Sequence, residues 1–285
     1  MLENSFQHIP GIGAKTESKL WNLGFYEWDN LEKPINGKPP LRKLETVRSL
    51  LHESKRQLQQ GNIKYFEDCL PAALHWRFFP EFRHRAVYLD IETDGLESDY
   101  GCITAITLYD GSTISCYVNG QNLHRFTQDI QNYDMIISYN GKCFDIPYIE
   151  NYFNIKLHQA HIDLRFVLAG LGFKGGLKTC ETSLGINRGS LADIDGFFAV
   201  LLWKDYKQNG NRKALETLLA YNIEDTVNLE TLMITAYNLK LKETRFYHEK
   251  KIPLPEFPSM PFSADLETIK KIRRNDYGVW LSRNI

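Results

Sequence analysis

Three short segments hold the side chains whose types and spacing could do chemistry. In AVYLDIET, Asp90 and Glu92 stand two residues apart at the end of an apolar run. Positions two apart in a strand share one face, and two carboxylates on one face repel each other unless a cation neutralises them. In YNGKCFDIPYI, Asp145 follows an Asn140-Gly141 turn and precedes a helical pattern whose first turn suits Pro147. In YNIEDTVNL, Tyr221 and Asp225 are four apart and share a helix face. Each has an ordinary explanation when taken singly: a strand-end turn through Asp94-Gly95, a helix N-cap at Asp145, an exposed acid on an amphipathic helix at Asp225. Together they form a set of four carboxylates and one phenol. Oxygen-only donors suit Mg2+ or Mn2+. Two such ions about 4 Å apart can stabilise the entering and leaving oxygens of an in-line phosphoryl displacement.

These side chains need elements that bring them together. The pattern predicts strands over 86–91, 102–109 and 113–118, with Asp110-Gly111-Ser112 turning the chain between the last two, an antiparallel meander. A helix over 122–132, a strand over 135–139, a helix over 146–153 and a short strand near 159–162 follow. DLRFVLA reads as a helix capped by Asp163, and 195–208 and 213–239 read as long helices. Three strands in a meander, then alternating helix and strand, then long helices match a mixed α/β sheet with helices on its faces. Ahead of it lie a turn and helical pattern (IPGIGAKTESKLWNLGF), a breaker-rich loop at 34–40, an amphipathic helix over 41–60 and an aromatic, basic connector at 71–85. The expected division is a segment 1–37, a helical connector 38–84, the α/β domain 85–240 and a charged, proline-containing tail 241–285 that either wraps over the body or stays mobile.

Composition narrows the classes. A chain of 285 residues fits one catalytic domain with smaller appendages. A net charge of −1 argues against nonspecific coating of nucleic acid, though not against an enzyme that meets phosphates through metal ions. The five cysteines (69, 102, 116, 143, 180) are odd in number, irregularly spaced and without CxxC, which argues against a disulfide framework or zinc site. Residues 1–13 show no charged-then-apolar leader pattern, and the longest apolar run, 196–203, is too short to span a bilayer. A cytoplasmic protein with no membrane partner is the expectation.

In order and spacing, Asp90/Glu92, then Asn140/Phe144/Asp145, then Tyr221/Asp225 resemble the three motifs of the DEDD (DnaQ-like) 3′–5′ exonuclease superfamily. The histidine subtype would carry His where this chain has Ala220, so the resemblance is to the tyrosine subtype. Within the superfamily, ETSLGINR, the Gly175-Gly176 pair and YNIEDTVNL resemble the YprB-like ribonuclease H-like branch. The resemblance covers about residues 86–236. It implies a ribonuclease H-like mixed sheet flanked by helices, with a small helical region in front. It further implies hydrolysis of phosphodiester bonds in nucleic acid, with a single-stranded 3′ end as substrate and two divalent cations, Mg2+ or Mn2+, as cofactors. Asp90 would bridge both ions, Glu92 and Asp225 would complete one shell, and Asp145 would act mainly through water on the other. Tyr221 would orient the attacking water. Thr93, Leu96 and Asn140 would hold the terminal nucleotide, although Leu96 reads equally as core. A noncatalytic nucleic-acid-binding module and a structure-specific endonuclease on the same fold are the competing readings.

Other signals are weaker. IPGIGAKTESKL resembles half of a helix-hairpin-helix element, in which Gly11, Gly13 and Lys15 would contact DNA backbone; a tight turn before a packing helix explains it as well. Gly170, Gly172 and Gly175 spell GxGxxG, but the preceding DLRFVLA is helical, so a dinucleotide site is not expected. Gly175-Gly176 instead would start the next helix, with Lys174 and Lys178 near phosphates.

Overall fold

The computed structural model describes residues 1–32, 44–95 and 101–274. The helical front region comprises α1 (Ala14–Asn22), α2 (Leu44–Gln59), α3 (Ile63–Cys69) and the single turn α4 (Phe79–Phe82). Next come β1 (Ala86–Thr93), β2 (Ile103–Tyr109), β3 (Ile114–Val118), the short α5 (Phe126–Asp129), β4 (Met135–Ser138), α6 (Asp145–Phe153) and β5 (Ala160–Asp163). Six further helices complete the described chain: α7 (Leu164–Ala169), α8 (Leu177–Ser183), α9 (Gly196–Asn209) and α10 (Arg212–Lys242), with α11 (Tyr247–Lys250) and α12 (Leu266–Ile272) in the tail. The loop at 34–40 and Leu96 fall outside the described residues, as do the first three positions of the helix expected over 41–60.

The strands form one sheet in the order β3-β2-β1-β4-β5. β1 pairs antiparallel with β2 and parallel with β4, while β2–β3 is antiparallel and β4–β5 parallel. This is the mixed α/β sheet that the strand order predicts. The hairpin between β2 and β3 closes through Asp110, whose Oδ1 accepts the amides of Ser112 (2.9 Å) and Thr113 (2.8 Å). Gly111 supplies the positive φ of 91° that this turn requires.

Strand alternation sorts side chains into two cores. Val87, Leu89 and Ile91 join Ile103, Ile106, Leu108 and Ile136 on one face, beside α5 and α6. Ala86, Tyr88, Ala105, Tyr109, Met135 and Ile137 join the other, larger core. Asp90 and Glu92 continue the second face, and this face meets α10. The helix is buried over nearly every residue from Ala214 to Met233, so it is central rather than amphipathic. Asn211 caps it, its side chain accepting the Lys213 amide, and α9 leads into it through Gly210 at a φ of 65°.

The larger core also takes in the front region. Leu2, Phe6, Ile9, Trp28 and Phe66 are part of it. Arg77 makes a bidentate pair with Glu17 of α1 at 2.7 and 2.9 Å, both side chains being buried, and Trp76 packs edge-on against Tyr237 of α10. Glu67 of α3 accepts the His161 amide of β5 at 3.0 Å. The tail wraps the body as far as it is described: Asn238 exchanges hydrogen bonds with both backbone groups of Ile252, and Asp265 pairs with Lys213 at 2.8 Å. One expected element differs. Residues 122–132 form three short turns, 3-10, α and 3-10, in place of one helix. The Asn122 side chain bonds back to Val118 and Cys116, and Thr127 bonds the His124 carbonyl; these local polar contacts compete with a regular ladder.

Candidate active site

The last residues of β1, the start of α6 and the middle of α10 meet at one end of the sheet. β1 places Asp90 and Glu92 on the α10 side, as their two-residue spacing requires. One carboxylate oxygen from each of Asp90, Glu92 and Asp225 lies within 4.8 Å of the others, the single such acidic group among the described residues. Asp145 stands outside this triangle. It opens α6, and its Oδ1 accepts the amide of Ile91 between the two β1 acids at 3.2 Å. It is therefore tied to β1 and is not the N-cap, a position that Phe144 takes. The loop before it passes close by: a Cβ on Gly141 would sit 2.7 Å from Ser138 Cβ and 3.5 Å from Asp145 Oδ2.

Burial and mutual repulsion dominate the electrostatics. Asp90 and Glu92 both have pKa values well above the carboxylate range, first because burial disfavours the charged form, then through Asp225 and Asp145. Burial pushes Asp145 up to about 7, against the backbone amides that favour its anion. Asp225 is raised by burial to about 6, held back by Arg188. Such a set of hard oxygen donors, crowded and short of positive charge, fits a divalent cation. Asp90, Glu92 and Asp225 could hold one ion directly, with Asp145 beside them.

Tyr221 is buried one turn before Asp225. Burial and the anions of Asp225, Glu92 and Asp90 raise its pKa, so the hydroxyl stays neutral, able both to donate and to accept. Lys178 Nζ lies 5.1 Å from the centroid of its ring and Arg188 Cζ 5.9 Å. Lys178 belongs to α8, which starts after Gly176 as expected. The GxGxxG glycines follow a helix, α7, so the dinucleotide pattern lacks its strand.

Thr93 is buried at the β1–β2 irregularity beside Glu92. Asn140 takes a left-handed φ of 65° at the end of β4. Its amide donates to Asp163 Oδ1 at 2.8 Å and its side-chain oxygen accepts from Arg165. Asp163 caps α7 through the Arg165 amide, as expected, and also holds the Asn140 and Lys142 amides. Gly11, Gly13 and Lys15 are exposed around the start of α1, far along the chain from the acids.

Three further polar residues complete the site; the sequence holds them inside ETSLGINR and YNIEDTVNL, where no role was read for the individual side chains. Asn222 donates to Asp90 Oδ2 at 2.6 Å and accepts from Thr107 at 2.5 Å. Its place directly after Tyr221 was its only signal. Glu181 and Arg188 are buried and paired, and Arg188 also donates to Asp225. Arg188 lies beyond the end of α8, where no helical or strand period marks a partner.

The matched family agrees with this architecture. Residues 87–237 match the model RNase_H_2 of the RNase_H superfamily, more than half of the chain. The protein belongs to the RNase H superfamily. No curated protein sequence matches it. Among solved structures, a family B DNA polymerase from the hyperthermophilic archaeon Pyrobaculum calidifontis is similar at 15% identity and a TM-score of 0.41, over 55% of this chain and 24% of the polymerase. The chain thus spans about a quarter of that polymerase's length. No helix among the described residues is long and apolar enough to cross a membrane.

Proposed function

We propose that the protein is a metal-dependent nuclease of the DEDD type, tyrosine subtype, that removes nucleotides from the 3′ end of a nucleic acid strand. The observation that carries this reading is the convergence of Asp90, Glu92 and Asp225 within 4.8 Å, with Asp145 bonded to the strand between the first two and Tyr221 one helical turn from Asp225. A pair of Mg2+ or Mn2+ ions held by these four carboxylates would stabilise the attacking and leaving oxygens of phosphodiester hydrolysis. The chain's own groups do the rest. Asn222 orients the Asp90 carboxylate by donating to Oδ2. The neutral Tyr221 hydroxyl would accept from and donate to a water and hold it for attack on phosphorus. Thr93, next to Glu92 on β1, and Asn140, in the loop before Asp145, are proposed to bind the terminal nucleotide; the same role for Leu96 concerns a residue outside those described. A role for Gly11, Gly13 and Lys15 in contacting DNA backbone rests on their exposure and on the glycine-opened helix they share.

The test uses a 5′-labelled single-stranded DNA oligonucleotide and its RNA counterpart, each with Mn2+, Mg2+ or EDTA, beside folded Asp90→Ala. A ladder shortening from the 3′ end, lost in EDTA and in the variant, is the expected result and identifies the preferred sugar. Internal cuts would make it an endonuclease. Binding without cleavage in any metal would make it a binding module, and undiminished turnover by Asp90→Ala would remove the site assignment.

A further inference from the structure

Arg188 hydrogen-bonds Asp225 and lies against Tyr221, two α10 residues of the site. It lies in the irregular stretch after α8, only 6% exposed. Its Nη1 donates to Asp225 Oδ1 and its Nε to Glu181 Oε2, and Cζ stands 5.9 Å from the Tyr221 ring centroid. Glu181 is fully buried, and its second oxygen accepts from Asn228 Nδ2 at 2.9 Å. Asn228 is three residues after Asp225, on the same face of α10. The contacts therefore close a circuit from Asp225 through Arg188 and Glu181 to Asn228 and back into the helix that carries Asp225. Buried ion pairs of this kind seldom add stability over an apolar replacement, so their geometry is what sets them apart.

The geometry has two consequences. Arg188 occupies Oδ1 of Asp225, leaving Oδ2 as the oxygen a metal ion could take without displacing the guanidinium. The guanidinium, fixed at Nε and Nη1, also lies against Tyr221, so the acid and the phenol are held by one rigid planar group. We propose that Arg188 is a positioning residue of the acidic site: it restricts Asp225 to one free oxygen and fixes Tyr221 relative to it, and Glu181 and Asn228 serve to hold Arg188 in place. For its kinetic consequences this rests on the nuclease reading; for metal binding it does not.

The test compares the full-length wild type with Arg188→Met, Arg188→Lys and Glu181→Gln, by Mn2+ titration calorimetry and by cleavage of a 5′-labelled single-stranded oligonucleotide. Arg188→Met removes a positive charge next to Asp225, so Mn2+ binds about tenfold more tightly, while kcat falls by about 10–100-fold and KM moves little. A residue needed only for folding would not tighten metal binding while slowing turnover. Arg188→Lys keeps the charge but loses the planar fork, so Mn2+ affinity stays near wild type and kcat remains about tenfold down. Glu181→Gln, which leaves Arg188 charged with one anchor weakened, should lower kcat with secondary structure intact, and it decides the matter if Arg188→Met does not fold. Wild-type kcat in either folded Arg188 variant, or in Glu181→Gln, would overturn the proposal. If the wild type cleaves neither DNA nor RNA, the nuclease reading falls by itself; equal Mn2+ affinities in wild type and Arg188→Met would then refute the positioning role, and a tightened affinity in Arg188→Met alone would support it.

Discussion

Replacing Asp145 by asparagine should stabilise the metal-free protein while abolishing the proposed cleavage. Asp145 is buried and its pKa is pushed up to about 7, chiefly by burial. A carboxyl that titrates near 3.8 when unfolded and near 7 when folded is held ionised at pH 8 at a cost of about 4 kcal/mol, from about 1.4 kcal/mol per pH unit. Its charge also raises the pKa of Asp90 and Glu92, so the cost is shared across the cluster. Asparagine keeps an oxygen for the Ile91 amide and removes the charge. Allowing roughly half of the gain to be lost in burying an amide, the variant should gain about 2 kcal/mol, or about 4–8 °C in Tm. The sign follows from the raised folded pKa: below about pH 4 both states are protonated and the cost vanishes, it grows from about pH 4 to pH 7, and it is complete above 7. The relative stability of Asp145→Asn should therefore fall by about 2–3 kcal/mol between pH 8 and pH 5, enough to cancel its advantage or slightly reverse it. Calorimetric melts in EDTA at the two pH values read this directly. Saturating Mn2+ should raise the wild-type Tm and close much of the gap, because the cation relieves the same repulsion. A variant no more stable than wild type at pH 8 in EDTA, or one whose advantage ignores pH, would refute the electrostatic reasoning.

Other parts of the structure make separate predictions. Gly141→Ala forces a Cβ into Ser138, whose Oγ is held by His161 at 2.8 Å; it should cost about 1–3 kcal/mol in urea melts and reduce turnover more than substrate binding by moving the Asp145 loop. Burial depresses His8 to a pKa of about 3, so it stays neutral in the fold. The unfolded chain takes up that proton below about pH 6.5, and stability is lost from there down to pH 3. His8→Gln should thus be less destabilising at pH 5 than at pH 7.5, by about 2 kcal/mol; identical penalties at both pH values would contradict this. Arg77→Met leaves Glu17 buried without its partner and should cost about 3–5 kcal/mol, whereas Arg77→Met with Glu17→Gln should recover at least half of it in the same denaturant series.

The geometry of the acidic cluster was largely legible in the sequence because its carriers are regular. A strand fixes Asp90 and Glu92 on one face by a period of two, and a helix fixes Tyr221 and Asp225 by a spacing of four. Asp163 as the cap of α7 and the start of α8 after Gly176 were readable for the same reason. What escaped was held by side chains acting outside any period. Arg188 reaches back from a loop to α8 and across to α10. Asn222 reaches across to β1 from a helix so buried that its polar positions gave no contrast. The 122–132 segment misled for a related reason, since Asn122 and Thr127 bond locally and break a helix that hydrophobic spacing alone would allow. The Arg77–Glu17 pair, sixty residues apart in the chain, holds the front region together through a contact that no local pattern announces.

The long helix α10 has a bearing on how this chain can vary in length. Its 31 residues rise about 46 Å at 1.5 Å each. It is pinned near its start by Lys213 and Thr217 to Asp265 and near its end by Asn238 to Ile252. One residue inserted before Tyr221 would rotate everything behind it by about 100° and carry Asp225 away from Asp90 and Glu92. Seven inserted residues would restore the rotation to within about 20° but displace the acid by about 10 Å along the axis. No insertion restores both phase and height. Chimaeras and natural length variants that keep the acidic triangle are therefore barred from inserting in the helix ahead of Asp225.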